Sequence, residues 1–237
     1  MPCGNCDCPF QVIRASEGPF ATAEIQCLLD DAVQHVEFGN DQVLFMQGEP
    51  STCLYAVTDG MVKICTHTSD GREQIVGLSS PERLLVGLQS VSDDRYAYTA
   101  IAATPVKACK VNHRTLLSRV LDKGDLAMRL IQAVNTQLAH SRALMEVMGH
   151  KCAAAKIAAF ILLMTPKSER GNCRFTLPFS RQEMASLLGL SEETVCRLMA
   201  SFRRAGAIYA PRGQVEIRDW AQLQSIADGN ASVHLVA

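Results

Sequence analysis

The sequence predicts an α+β fold in three parts: an N-terminal antiparallel β jelly roll, a long helix, and a C-terminal winged helix-turn-helix. Three observations carry this. Short β-type runs separated by turn residues fill the first half of the chain. Apolar residues then recur at alternating steps of four and three. Finally, two short capped helices meet at a glycine ahead of a β-hairpin.

A chain of 237 residues has room for two modest domains. At 48% hydrophobic and 20% charged it is not a disordered chain. No uncharged apolar run reaches the roughly 18 residues that span a bilayer, so no membrane is expected. Residues 1–10, MPCGNCDCPF, lack a basic region followed by an apolar stretch. The expectation is therefore no export signal and a cytoplasmic location. Ten cysteines in that setting point to reduced thiols with metal or redox chemistry rather than a disulfide framework. A Gly-rich phosphate loop, G-x-S-x-G, H-E-x-x-H and a catalytic Cys–His pattern are all missing, which argues against an enzyme.

Residues 1–20 form a cysteine-bearing arm. Thr22 can cap a short helix through about Val33, with Ile25, Leu28, Leu29 and Ala32 on its apolar face. Residues 21–122 are assigned to the roll. Its β-type runs are Val43–Phe45, Leu54–Val57, Met61–Thr66, Gln74–Leu78, Tyr96–Ala102 and Val106–Val111. Turn signals such as Thr58-Asp59-Gly60 and Ser69-Asp70-Gly71 separate them.

The long helix, within 123–150, runs from Asp125 to about Met148. Ala127, Ile131, Val134, Leu138, Ser141, Met145 and Met148 form a heptad seam, the signature of a partner helix and most simply of a homodimer. One face of an ordinary core helix is the alternative. Ser141 is the seam's one polar residue.

Residues 151–237 hold 11 Lys and Arg against 7 Asp and Glu, whereas residues 1–150 hold 12 against 17. A basic C-terminal part suits a nucleic-acid partner. There, Ser180-Arg181-Gln182-Glu183 reads as a capping box opening a short helix that Gly189 ends. Ser191 caps a second helix through about Arg204, with Val195, Leu198, Met199 and Phe202 inward. Glu193, Cys196, Arg197 and Ala200 share the other face. Arg197 can donate two hydrogen bonds to guanine O6 and N7, and Glu193 can accept from cytosine N4. The alternative is an ordinary surface Glu–Arg pair. Ile208–Ala210 and Val215–Ile217 then form the wing. Ser180, Arg181, Thr194, Arg203, Arg204 and Arg212 are the candidate phosphate contacts.

Cys3-x-x-Cys6-x-Cys8 is a dense run of soft donors that apolar periodicity does not explain. Four thiolates are wanted for a [4Fe–4S] cluster, so a fourth must come from the folded domain. Zinc in a Cys₄ site and direct thiol oxidation are the alternatives. Cys27, Cys53, Cys65 and Cys152 lie in apolar contexts and read as small buried hydrophobes, with Cys27 and Cys53 as substitute ligands if Cys8 is not one. Cys173, in a polar loop, reads as a free thiol. The six histidines show no metal-like spacing.

In this order the parts resemble the Crp/Fnr superfamily of bacterial transcription regulators over nearly the whole chain. The matching residues are Gly48-Glu49, Leu54–Val57 with Asp59-Gly60, Asp70–Gly77, Ala158-Ala159-Phe160 and Leu188–Leu198. The roll is then a cyclic-nucleotide-binding-like roll, but the resemblance is closer to the oxygen-responsive Fnr branch. Where nucleotide binders carry Gly-Glu and later Arg-Ser/Thr-Ala, this chain has Pro81-Glu82 and Arg95-Tyr96-Ala97, so a cyclic nucleotide is not expected. The alternative within the family is a regulator without an iron–sulfur cluster whose effector is thiol oxidation, haem or a small molecule in the roll.

The resemblance implies a Glu-x-x-Ser-Arg recognition code, matched at Glu193 and Arg197 with Cys196 in place of the Ser. It implies double-stranded DNA with TGA-like half-sites as the target. It also implies an iron–sulfur cluster held by Cys3, Cys6 and Cys8 with Cys109 as fourth ligand, although the arm's cysteines are more tightly spaced than in Fnr-type arms. RNA polymerase is the implied protein partner, contacted through Asp70, Arg72 and Glu73.

Overall fold

The computed structural model describes residues 32–67, 73–80, 85–87, 95–122, 124–165, 174–211 and 213–230. The chain forms two compact units, Met1–His140 and Ser141–Ala237. The cysteine arm and the helix expected from Thr22 as far as Asp31 lie outside the described residues. Val33, expected to end that helix, instead opens the first strand.

The first unit is built on two four-stranded antiparallel sheets. One has the order β1-β8-β3-β6: Val33–Phe38, Val106–Asn112, Cys53–Asp59 and Leu85–Val86. The other has the order β2-β7-β4-β5: Val43–Phe45, Thr99–Ala102, Val62–His67 and Glu73–Ser79. Side chains alternate between the two faces of a strand. In β3, Tyr55 and Val57 enter one apolar cluster while Leu54 and Ala56 enter another. Both faces of β3 are therefore covered, which is why its sequence reads as an unbroken apolar run. Between β3 and β4, Gly60 has φ +82, and a Cβ there would run into the Pro105 carbonyl oxygen, so the Asp59-Gly60 turn requires glycine.

The first cluster is the interior of the roll. Phe45 stacks on Tyr96 with ring centroids 3.8 Å apart, and on Tyr55 at 5.8 Å; Tyr98 closes in at 5.6 Å. The hydroxyls find backbone partners. Tyr55 donates to the Leu44 carbonyl, Tyr96 donates to the Cys53 carbonyl, and Tyr98 accepts from the Gly87 N–H. The run expected as a strand over Tyr96–Ala102 is shorter, Thr99–Ala102. Tyr96 instead exchanges backbone hydrogen bonds with Gly48 and Glu49, and Arg95 donates to the Gly48 carbonyl.

Burial is the main reason the Tyr55 pKa rises to about 12, reinforced by Tyr96, Cys53 and Glu49; burial also raises Tyr96 and Tyr98. A phenol with a raised folded-state pKa stabilises the fold fully below the unfolded value of 10.0, and that stability is lost as pH climbs toward about 12. The urea midpoint is therefore expected to fall steeply above about pH 10, and less steeply in Tyr55→Phe. An unchanged alkaline limb in that variant would contradict it.

The second cluster lies on the outer face of the β1-β8-β3 sheet. Leu54, Ala56, Cys109 and Val111 pack with Leu116 and Leu126. Leu116 belongs to α1, His113–Asp122, a helix absent from the sequence reading. Leu126 belongs to α2, Gly124–Gly149, which matches the long helix expected from the heptads.

The second unit contains α3 (Ala153–Met164), α4 (Arg181–Leu188), α5 (Glu192–Arg204) and α6 (Trp220–Ala227). It also holds a small sheet of order β10-β11-β9, from Ile208–Tyr209, Gln214–Ile217 and Arg174–Thr176. Ile157, Phe160 and Ile161 of α3 are fully buried, as is Phe202 of α5. Cys152 is exposed rather than a small core residue. It caps α3, its sulfur accepting the Ala155 N–H at 3.3 Å.

Candidate nucleic-acid interface

The local rules of helix capping build this site. At the start of α4 the Ser180 hydroxyl accepts the Glu183 N–H at 3.1 Å, and the Glu183 carboxylate accepts the Ser180 N–H at 2.8 Å. This reciprocal box satisfies two of the four N–H groups that a helix start leaves open. Gly189 ends α4 in the left-handed conformation, φ 64 and ψ 43. Only two residues later Ser191 caps α5, accepting the Thr194 N–H at 3.2 Å. The tight turn fixes the angle between the helices, and α5 turns one face inward.

That face is Val195, Leu198, Met199 and Phe202, all buried. Glu193, Cys196 and Arg197 on the opposite face are exposed, with Ala200 partly so. Among the described residues, no ion pair or hydrogen bond engages the Glu193 carboxylate or the Arg197 guanidinium. The surface Glu–Arg pair that the spacing allowed is thus not formed, and both heads remain available to an outside partner.

Around this face lie the phosphate candidates. Ser180, Arg203 and Arg204 are exposed, and Thr194 is partly exposed. The Thr194 hydroxyl already bonds the Ser191 hydroxyl at 2.8 Å, so it helps shape the cap as well. Arg181 is half-buried, with Nη1 donating to the Met184 sulfur at 3.5 Å. Burial lowers its pKa; Cys196 raises it and Arg203 lowers it. Arg181 of α4 therefore shares one electrostatic neighbourhood with Cys196 and Arg203 of α5. A guanidinium stays charged in proteins, so this partly desolvated cation favours an anion beside the exposed face.

Ser180 and Arg181 also line a cleft of about 210 Å³ with the wing residues Pro211, Gly213 and Gln214. Arg212, the candidate at the wing tip, lies outside the described residues.

Two supports were absent from the sequence reading. Lys156 of α3 donates to the Leu188 carbonyl at 3.3 Å and so caps the end of α4. Strand β9 joins the wing sheet, with Arg174 donating to the Gln214 side chain at 2.8 Å. No local pattern announces either, because each links segments more than 30 residues apart.

The α2 seam is exposed. Ile131 is 50% accessible, Val134 41%, Leu138 45%, Met145 60% and Met148 43%, and Ser141 is also exposed. Leu126, Leu144 and Val147, off the seam, are buried. A helix whose apolar seam faces water beside a separately buried face fits a partner helix better than a core position.

Of the candidate metal ligands only Cys109 lies among the described residues; Cys3, Cys6 and Cys8 do not. Cys109 is fully buried, and its Sγ lies 3.7 Å from Nδ1 of His35. Among the described residues, no three His, Cys, Asp or Glu side chains are grouped to hold a metal. The Nε2 of the buried His113 meets no hydrogen-bond partner among the described residues, while its Nδ1 lies 3.4 Å from the Ser51 hydroxyl. Of the three candidate polymerase contacts, Glu73 is exposed at the start of β5, while Asp70 and Arg72 lie outside the described residues. No described helix is long and apolar enough to cross a membrane.

Two family models match this chain: a cyclic nucleotide-binding domain over residues 35–122 and a Crp-like helix-turn-helix domain over residues 155–226. The chain is 30% identical over 205 residues to the transcriptional activator protein FnrA of Stutzerimonas stutzeri, covering 85% of this chain and 84% of that protein. It is 29% identical over 199 residues to the nitrogen fixation regulation protein FixK of Bradyrhizobium diazoefficiens, covering 82% of each. In fold it is similar to FixK2 from Bradyrhizobium japonicum, with a TM-score of 0.72 and 24% identity over 84% of this chain and 98% of that one. A roll followed by a capped helix pair and wing, matched over this length, makes the chain a member of the Crp/Fnr family of DNA-binding transcription regulators and not an enzyme.

Proposed function

We propose that this protein is a homodimeric, cytoplasmic transcription activator of the Fnr type. It binds a palindrome with TGA-like half-sites and is switched by an oxygen- or nitric-oxide-sensitive [4Fe–4S] cluster. The observation that carries the DNA-reading part is the exposed Glu193, Cys196 and Arg197 face of α5, whose charged heads make no ion pair among the described residues. Arg197 reads guanine through two N–H donors and Glu193 accepts from cytosine, while Ser180, Arg181, Arg203 and Arg204 hold phosphates. Cys196 replaces a hydroxyl with a weaker hydrogen-bonding thiol, so the outer base of the half-site is read less firmly. The α2 seam pairs two copies, and a palindrome mirrors that two-fold symmetry.

Cys3, Cys6, Cys8 and Cys109 would hold the cluster. The described member of the set fits: Cys109 offers a soft sulfur donor inside an apolar shell of Leu54, Ala56, Val111 and Leu116 that keeps water away. When bound, the cluster supplies an oxygen-labile centre. Cys109 shares its packing cluster with Leu126, Leu130 and Ala133 of α2. A change of position at this sulfur therefore bears directly on the helix that carries the seam. The roll interior, filled by Phe45, Tyr55, Tyr96 and Tyr98, supports a reading without a cyclic nucleotide. Asp70, Arg72 and Glu73 would meet RNA polymerase; of these the described Glu73 is exposed at the start of β5.

The exposed Cys196 thiol favours one second reading, in which its oxidation is the signal and no cluster is held.

Anaerobic purification with iron and sulfide assays, followed by gel shift on a TGA-type palindrome before and after air, tests the proposal. The expected result is stoichiometric iron and sulfide, with visible absorbance and tight binding both lost in air. Air-sensitive binding without iron, abolished in Cys196→Ser, would replace the cluster reading by the thiol one.

A further inference from the structure

We propose that His35 is the positioning residue for Cys109, donating a hydrogen bond from Nδ1 to Sγ when that sulfur serves as a metal ligand. The inference rests on the iron–sulfur reading above. Strands β1 and β8 are antiparallel, and their register sets His35 directly opposite Cys109. Directly opposed residues share a sheet face, so both side chains stand on the outer side, where Sγ and Nδ1 come to 3.7 Å. On the other side of Cys109 the opposed residue is Ala56 of β3, which has no polar atom in its side chain. Leu54, Val111 and Leu116 pack in the same cluster as Cys109.

A sulfur carrying negative charge in such a shell is costly unless a donor meets it. A metal-bound thiolate has no proton and can only accept. A neutral imidazole that serves it must therefore carry its proton on Nδ1. A donor aimed at a ligand sulfur draws charge from it, raises the reduction potential of the bound group and slows its oxidative loss.

The test uses the full chain, purified without oxygen, as wild type, His35→Leu and His35→Gln. Three measurements are made on each: iron and sulfide content, the rate of bleaching in air, and the cluster's midpoint potential. Metal-free samples are melted as a folding control. His35→Leu is expected to bleach about ten-fold faster, the lower end of the usual outer-shell effect, and to have a lower potential. His35→Gln keeps an N–H donor and should recover most of the difference. All three metal-free melting points should agree, because His35 is exposed on an edge strand.

Equal bleaching rates and potentials in wild type and His35→Leu would overturn the inference and leave the cluster reading standing. Faster bleaching in both variants with a lowered metal-free melting point would mark a purely structural role and also overturn it. Wild-type protein without iron and sulfide would overturn the cluster reading, and this inference with it.

Discussion

Replacing Arg197 with alanine is expected to abolish discrimination at one base pair of each half-site. The side chain is exposed on α5, and no ion pair or hydrogen bond engages it among the described residues. A bidentate arginine–guanine contact contributes about 1–3 kcal/mol of discrimination. A dimer on a palindrome makes the contact twice, so the loss is about 2–6 kcal/mol, or roughly 30-fold to 10⁴-fold in relative affinity. Fluorescence anisotropy on the matched palindrome and on one with the G·C pair exchanged in both half-sites measures it. Arg204→Ala is the counterpart. As a phosphate contact it should weaken binding equally on both sequences and reduce the salt slope by about one per protomer. If Arg197→Ala discriminates as well as wild type, α5 is not the reading element.

Leu138→Glu is expected to convert the protein to a monomer. Leu138 lies in the middle of the α2 seam and is 45% exposed in the single chain. In a paired helix the two substituted carboxylates would face each other across a desolvated seam with no counter-charge. Sedimentation should then show a species of one chain. Operator affinity should fall about 10²- to 10⁴-fold, the advantage lost when the second half-site is no longer engaged intramolecularly. Helix content should hold, because Leu126, Leu144 and Val147, off the seam, stay buried in one chain. A variant that remains a dimer would move the interface off this seam.

These two effects share a feature that made them legible before any coordinates. Each depends on residues three or four positions apart on one helix, and α-helical geometry converts that spacing into a common face. Ser180 with Glu183, Gly189, and Ser191 with Thr194 are likewise contacts within a turn or so of chain. The capped helix pair and its exposed face were therefore readable, as was the long helix. Most strands were readable too, but β1, β6 and β9 were not, nor was the extent of β7. Tyr96 and Tyr98 carry β-type side chains, yet they precede β7 and fill the roll interior, where stacking on Phe45 outweighs local preference. α1 begins at His113, directly after a strand, where Asn112 accepts the Arg114 N–H and caps the turn. That cap merges with the preceding β-type run and leaves no break to read. Cys152 was read as a core residue from its apolar neighbours, whereas its sulfur caps α3 at the surface.

By itself the sequence determined the long helix, the capped helix pair with its wing, most strands of the roll, their order, and the faces of α2 and α5. These follow from spacings of a few residues, over which backbone geometry is nearly constant, and the motifs they carry resemble one family. Only the tertiary structure decided that His35 meets Cys109 across 74 residues, that Lys156 closes the end of α4, and that four aromatic rings occupy the roll. Those contacts depend on strand register and helix packing. A shift of one residue in pairing would turn Cys109 to the opposite face of its sheet, and no local pattern encodes which register is chosen.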